Sequence, residues 1–305
     1  MAFATLVDEV PGRSGIREMP VGPVYAGLSF RFGVRCAHAE LARHLEAVLA
    51  PLRSVGTADH WYSVDITSQG RIEVRVDGVR VAGARDAGNA AAWLLWHVNR
   101  AVIDASPEYL QLHAASVSMG GRALVFPGSP GSGKTTLAAA LVQRGLGYLT
   151  DELVALADDD LTIVPFPKSL AFDEGSIAAL WGPAGPPGHA EVVGPELPGT
   201  EKVHVVPACI RAEANAGACP ARMVVAPRYL RGASTRLARL DAADALMTLV
   251  TNTVNLECHG SAGLRRLAVL AERGSCYRLE FSDLDEACRL VMAEAATCWA
   301  EEAAG

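Results

Sequence analysis

Gly128-Ser129-Pro130-Gly131-Ser132-Gly133-Lys134-Thr135-Thr136 (GSPGSGKTT) is the stretch whose reading decides the fold. An apolar run, residues 123–126 (ALVF), precedes it, and residues 137–141 (LAAAL) follow it. The order is strand, glycine-rich loop, helix, and the spacing Gly128-x-x-x-x-Gly133-Lys134-Thr135 is that of a P-loop. Glycines let successive backbone N–H groups turn toward a phosphate chain, and the start of the helix adds the positive end of its dipole. Lys134 supplies a point charge for the β- and γ-phosphates, and the Thr135 hydroxyl is a candidate Mg²⁺ ligand. A chance match is the competing explanation in a chain with 29 glycines. The flanking strand and helix argue against it. So does the scarcity of lysine: Lys134, Lys168 and Lys202 are the only ones, the other basic residues being arginine.

The residues just upstream predict a hairpin over 112–126, turning at Gly120-Gly121. A two-residue turn sets Met119 opposite Arg122 and carries His113 to a position opposite Gly128, at the mouth of the loop. Downstream, Gly145 stops the helix. The strand 148–150 then leads directly into Asp151 and Glu152. That places two carboxylates at the edge where α/β sheets bind phosphates. One can hold Mg²⁺ and the other can take a proton from an attacking hydroxyl. Lys168 is a further candidate for neutralising a transferred phosphoryl group, weighed against an ordinary surface lysine.

Composition narrows the partners. The chain has 305 residues, is 50% hydrophobic and 20% charged, and carries a formal charge of −7. Those values provide a sizeable core and argue against a broad nucleic-acid surface. No apolar run approaches the roughly 20 residues of a membrane helix, and the N-terminus lacks the basic region of a secretory signal. Seven scattered cysteines without a C-x-x-C pair read as reduced thiols, so the expected location is cytoplasmic.

Elsewhere the pattern predicts an irregular lead-in over 1–24 and a strand over 28–32. A helix over 38–49 ends at Pro51. Strands over 61–66, 71–76 and 79–81 follow, with Asp77-Gly78 as a hairpin turn. A helix over 87–103 has Trp93, Leu94, Trp96 and Val98 as its bulk. Together these form a small N-terminal α+β domain, 1–105, ahead of a second domain, 106–305. Within the second, 153–164 reads as a hairpin around an acidic turn at 158–160, 174–181 as a short helix, and 182–199 as a long proline- and glycine-rich loop. Residues 203–206 and 222–226 are expected to resume the sheet, and 235–240 to add a strand. Helices are expected over 241–250 and 263–272, then a strand over 277–281 and a final helix from 282 to about 301. Four histidines of the first segment, at 38, 44, 60 and 97, have no metal-binding spacing.

His113, the GSPGSGKTT loop and the early acid pair resemble the HPr serine kinase/phosphorylase group. Its catalytic domain has a histidine on the preceding strand, a P-loop and an Asp-Asp pair one helix later. Residues 225–229 (VAPRY), 246–255, Cys276-Tyr277-Arg278-Leu279 and 282–287 (SDLDEA) resemble the HPr-kinase-related proteins, and the likeness spans about 110–298. It implies an α/β fold with a P-loop nucleotide-binding mixed sheet, related to phosphoenolpyruvate carboxykinase. It also implies ATP and Mg²⁺ as cofactors. Glu152 stands where that family has Asp, and Thr135 where it has Ser. No arginine-glycine signature follows the acid pair, so recognition of HPr and the reverse phosphorylase reaction are not expected. Some relatives modify peptide natural-product precursors.

The expected activity is ATP-dependent transfer of the γ-phosphoryl group to a hydroxyl, foremost a serine of a protein or peptide. Asp151, His113 and Lys134 are the expected catalytic residues. Residues Gly128, Ser129, Pro130, Gly131, Ser132, Gly133, Lys134, Thr135 and Thr136 bind the nucleotide, and Thr135, Asp151 and Glu152 bind the metal. Two alternatives stay open: a small-molecule hydroxyl kinase and a non-kinase ATPase or regulatory module. No N-K-x-D guanine motif and no L-S-G-G-Q run is present. No nucleic-acid or membrane partner is expected, and a homo-oligomer is left open.

Overall fold

The computed structural model describes residues 22–67, 70–157, 160–186, 192–193 and 202–304. Most of the 1–24 lead-in, Asp158 and Asp159 of the acidic turn, and most of the proline-rich loop lie outside the described residues.

A six-stranded sheet comes first. It contains β1 (Val24–Gly27), β2 (Phe30–Cys36), β3 (Arg53–Ser54), β4 (His60–Ile66), β5 (Ile72–Val76) and β6 (Val79–Ala84), in the order β3-β1-β2-β4-β5-β6. The strand expected over 28–32 begins instead at Phe30, because Leu28 (φ +50°) turns the chain from β1 into β2. The Asp77-Gly78 turn has positive φ at both residues, the geometry that matches the twist of paired strands. Helix α1 (Ala39–Leu49) is capped by His38, whose Nδ1 accepts from the Leu41 N–H at 3.3 Å. Helix α2 (Ala87–Asp104) is capped by Asp86. Its buried residues Ala90, Ala91, Leu94, Val98 and Val102 follow helical spacing and meet Tyr25, Phe32, Tyr62 and Val74 of the sheet. Trp93 and Trp96, expected as core bulk, fall on the opposite face and are 43% and 59% exposed. They pack edge-to-face on each other.

The second sheet starts with β7 (Leu110–Met119) and β8 (Arg122–Pro127), joined at Gly120-Gly121, where both φ values are positive. Met119 faces Arg122 and the register runs to Ala114 opposite Pro127. Helix α3 (Lys134–Gln143) then leads to β9 (Gly147–Thr150), β10 (Leu153–Ala157) and β11 (Thr162–Val164). Strand β12 (Leu170–Phe172) precedes helix α4 (Glu174–Trp181). With β13 (Val192–Val193) and β14 (Val203–Val205) it makes a separate three-stranded sheet, in the order β12-β14-β13. Residues 203–206 therefore do not resume the main sheet as expected. A three-residue apolar run carries no information about which sheet it joins.

After the short helix α5 (Pro207–Ile210), β15 (Cys219–Tyr229) returns to the main sheet, followed by β16 (Arg236–Arg239) and α6 (Ala242–Thr251). Helix α7 (Leu256–Arg273) starts earlier than expected and breaks at Gly260 (φ +52°). Strand β17 (Ser275–Phe281) and helix α8 (Leu284–Ala304) end the described chain. The strand order is β11-β10-β7-β8-β15-β17-β16, with β9 paired to β7 and β11 also paired to β15. Alternation along β7 and β8 sorts the core into two layers. Ala115, Val117, Leu124 and Phe126 meet α3 and α8, whereas Leu110, Leu112, Ala114, Ala123 and Val125 meet α6 and α7. The protein is thus a mixed α/β chain. Among the described residues no helix is long and apolar enough to cross a membrane, and all seven cysteines are free.

Candidate active site

Topology gathers the predicted residues at one sheet edge. Strands β8 and β9 both run antiparallel to β7, on its two sides, so their C-terminal ends emerge together. The Gly128–Gly133 loop leaves β8 there, and Asp151 and Glu152 leave β9. Strands β15 and β17, parallel in register with β8 and each other, bring Tyr229 and Phe281 to the same edge. Between loop and acids, β7 leaves β8 after Ala114 and pairs with β10 at His113 opposite Leu153. The sheet therefore splits at the point where Asp151, Glu152 and His113 stand.

The loop is closed on itself. Lys134 is buried, and its Nζ donates to the carbonyls of Gly128 at 2.6 Å and Ser129 at 2.9 Å. Burial lowers the Lys134 pKa, while the charges of Asp151 and Glu152 pull it back up. Loop lysine and acid pair thus act on each other electrostatically. The Ser132 carbonyl accepts from the Tyr229 N–H at 3.1 Å, tying the loop to the end of β15. The Ser132 hydroxyl is buried without a partner, the kind of polar atom that a phosphate oxygen would satisfy. Ser129, Pro130 and Gly131 are exposed. Thr136 donates its hydroxyl to Ser176 of α4 at 3.0 Å, which takes it away from the loop mouth. Thr135, half-buried beside it, makes no side-chain hydrogen bond among the described residues.

Two glycines differ in what they require. Gly133 caps α3 at φ +92°, and a Cβ there would lie 2.9 Å from Phe281 Cζ; Gly131 has φ +79° but open space around it. Gly131→Ala carries only the left-handed strain of about 1–2 kcal/mol. Gly133→Ala adds displacement of a core aromatic ring. The expected result is a clearly lower Tm for Gly133→Ala than for Gly131→Ala, measured by differential scanning fluorimetry; equal values would remove Phe281 from the account.

Asp151 is buried, and Glu152 is half-buried. Lys168 bridges them, its Nζ at 3.2 Å from Asp151 Oδ1 and 2.9 Å from Glu152 Oε2. The alternative of an ordinary surface lysine does not hold, since its side chain is only 15% exposed. Burial alone would lower its pKa, but the two carboxylates outweigh that and raise it. The Lys168 charge in turn holds the Glu152 carboxyl below its usual range. Tyr148, fully buried, has its hydroxyl 3.1 Å from both Asp151 Oδ1 and the Lys168 carbonyl, two acceptors that share its one proton. Burial and the neighbouring Asp151 charge push its pKa well up, so it stays a donor. Asn99 of α2 donates to Glu152 Oε2 at 3.2 Å.

His113 stands beside the acid pair, and its imidazole is within reach of the charges of both Glu152 and Asp151. Its backbone N–H donates to the Asn252 carbonyl at 2.7 Å. Burial, with the Lys134 charge, lowers its pKa, so the imidazole is neutral near pH 7. The buried Nε2 has no partner. Sequence reasoning missed Tyr148 and Asn99 altogether and undervalued Lys168. The scarcity of lysine was a usable signal for Lys168; nothing local marked the other two.

The donor set suits Mg²⁺. Two carboxylates and a threonine hydroxyl are hard oxygen ligands, and Mg²⁺ characteristically takes one or two carboxylates and completes its shell with water and substrate phosphates. Among the described residues no group of three His, Cys, Asp or Glu side chains could hold a metal unaided.

No protein-family model matches the chain, and no curated protein is similar to it. Among solved structures it is similar to the Hpr(Ser) kinase/phosphatase from Coxiella burnetii, with 11% identity and a TM-score of 0.27, over 60% of this chain and 98% of that one. A likeness that weak carries no argument about the reaction, which rests on the residues themselves.

Proposed function

We propose that the chain is an ATP-dependent phosphotransferase that moves the γ-phosphoryl group to a hydroxyl, foremost a serine of a protein or peptide. The observation that carries this reading is the convergence, at one sheet edge, of the Lys134 loop with an acid pair, Asp151 buried and Glu152 half-buried, held by Lys168. In it, the loop N–H groups and Lys134 bind the triphosphate. Thr135 and one acid of the pair, Glu152, would hold Mg²⁺, which when bound offsets charge on the phosphates. Asp151 takes the acceptor proton as the acceptor oxygen forms its bond to phosphorus. The bond from phosphorus to the β–γ bridging oxygen breaks, and ADP leaves with that electron pair. Position and charge neutralisation supply most of the rate in such transfers.

A narrow cleft lies beside the acids. It is lined by Asn99, Ile103, His113, Glu152, Leu153, Phe166 and Val254 and has a volume of about 60 Å³. That is well below the roughly 300–1,000 Å³ of small-molecule pockets. Incubation with labelled ATP, Mg²⁺ and degenerate serine-centred peptides, followed by mass spectrometry, tests the reading. Peptides that gain phosphate are expected. ATP consumed with no phosphorylated acceptor would instead support the ATPase or regulatory alternative.

A further inference from the structure

The segment that carries Lys168 is held from two directions: β9 holds it through the Leu149 carbonyl, which accepts from the Phe166 N–H at 3.0 Å, and through Tyr148 at the Lys168 carbonyl, and two side chains tie it to the first sheet and its helix. Phe166 is buried in the core of the first sheet, among Tyr25, Phe32, Leu45 and Val102. Its ring lies over Gly27 of β1, where a Cβ would come within 2.5 Å of Phe166 Cε2. Gly27 therefore has to be glycine for the ring to seat. Ser169, also buried, donates its hydroxyl to the Val48 carbonyl at 2.5 Å. Val48 is in the last turn of α1, whose carbonyls have no partner within the helix, so the bond serves both elements. A tight turn, Lys168 N–H to the Phe166 carbonyl at 2.9 Å, sets Lys168 between these two anchors. A second strut reaches the same centre from α2, where Asn99 donates to Glu152.

We infer that the first sheet and its two helices are a brace for the acid centre: Phe166 and Ser169 act as positioning residues for Lys168, and Asn99 for Glu152. The physical need is clear. A lysine side chain has a flexible four-carbon stem and loses much rotamer freedom when fixed on two carboxylates. Only a backbone already held on both sides delivers the ammonium to that point. The catalytic importance of the brace rests on the phosphotransfer reading; its existence does not.

The three lysines make the brace measurable. Full-length protein is treated with formaldehyde and a reducing agent, and methylation of each lysine is followed by mass spectrometry. Lys202, which is exposed, is the internal reference. In the wild type, Lys168 is expected to react at least about tenfold more slowly than Lys202, because its ammonium is paired twice. Ser169→Ala removes one hydroxyl, and Gly27→Ala pushes Phe166 from its seat; each should raise Lys168 labelling several-fold, and Phe166→Leu should keep most of the protection that Phe166→Ala loses. If Gly27→Ala does not fold, Ser169→Ala decides. Unchanged Lys168 labelling in a folded Ser169→Ala protein would overturn the brace. Binding of a fluorescent ATP analogue is measured in parallel: its absence from the wild type would sink the phosphotransfer reading and leave the labelling result standing. Retained binding with slower peptide phosphorylation in Ser169→Ala and Asn99→Ala is the outcome that joins the two.

Discussion

Lys134→Ala is expected to abolish phosphoryl transfer and to weaken ATP binding by about ten- to a hundredfold. The side chain donates to the Gly128 and Ser129 carbonyls and so holds the loop closed around its own ammonium. A triphosphate offers that ammonium a stronger, charged partner. Hydrogen bonds to charged groups contribute about 1.5–3 kcal/mol each, and every 1.4 kcal/mol is roughly a factor of ten. Losing one such bond gives the stated range. Turnover suffers more, because Lys134 also faces the charge that develops on the transferred group. Lys134→Arg should rescue neither quantity. A planar guanidinium cannot enter a site shaped for a compact ammonium and buried by the loop. Titration with a fluorescent ATP analogue reads the binding loss, and peptide phosphorylation reads the rate. Wild-type transfer by Lys134→Ala would end the assignment.

How much of this centre could be read from the chain depends on how local each cause is. The register of β7 on β8 was legible because Gly120-Gly121 permits a turn with two positive φ values, and such a turn fixes the pairings that follow it. It did not carry as far as His113, expected opposite Gly128: the pairing ends at Ala114 opposite Pro127, and His113 pairs with Leu153 of β10 instead. The acid pair was legible because one strand after a short helix has only one edge to reach. Lys168 was not, since its position depends on Phe166 seating over Gly27, far away in the chain. Asn99 belongs to α2, and its contact with Glu152 spans two sheets. Trp93 and Trp96 misled for another reason: size was read as burial, whereas the spacing of Ala90, Ala91, Leu94 and Val98 had already chosen the opposite face. Small residues at the right spacing outweigh large ones at the wrong one.

Asp151→Asn is the second large effect, and it separates the two acids. Both contacts to Asp151, from Tyr148 and Lys168, fall on Oδ1, so Oδ2 keeps no partner among the described residues. In the proposed mechanism that oxygen is the one that would take the acceptor proton. The amide keeps shape and still accepts from Tyr148, but it cannot take a proton and cannot balance Lys168. Loss of a positioned general base costs typically 10²–10⁴-fold in rate, and that is the expected fall in kcat. Nucleotide affinity measured without Mg²⁺ should not fall, because the bonds of Lys134 to the loop are kept and one nearby negative charge is removed. Glu152→Gln gives the contrast. Its carboxylate contacts Lys168 and Asn99 and is half exposed, so in the proposed mechanism it would serve the metal and Lys168 rather than the proton. Its expected signature is a higher Mg²⁺ requirement with a smaller fall in kcat at saturating Mg²⁺. The reverse pattern, a kcat collapse in Glu152→Gln and a Mg²⁺ defect in Asp151→Asn, would exchange the two roles. Steady-state peptide phosphorylation across a Mg²⁺ series decides between them, since proton transfer limits kcat at any metal concentration whereas a ligand defect is overcome by mass action.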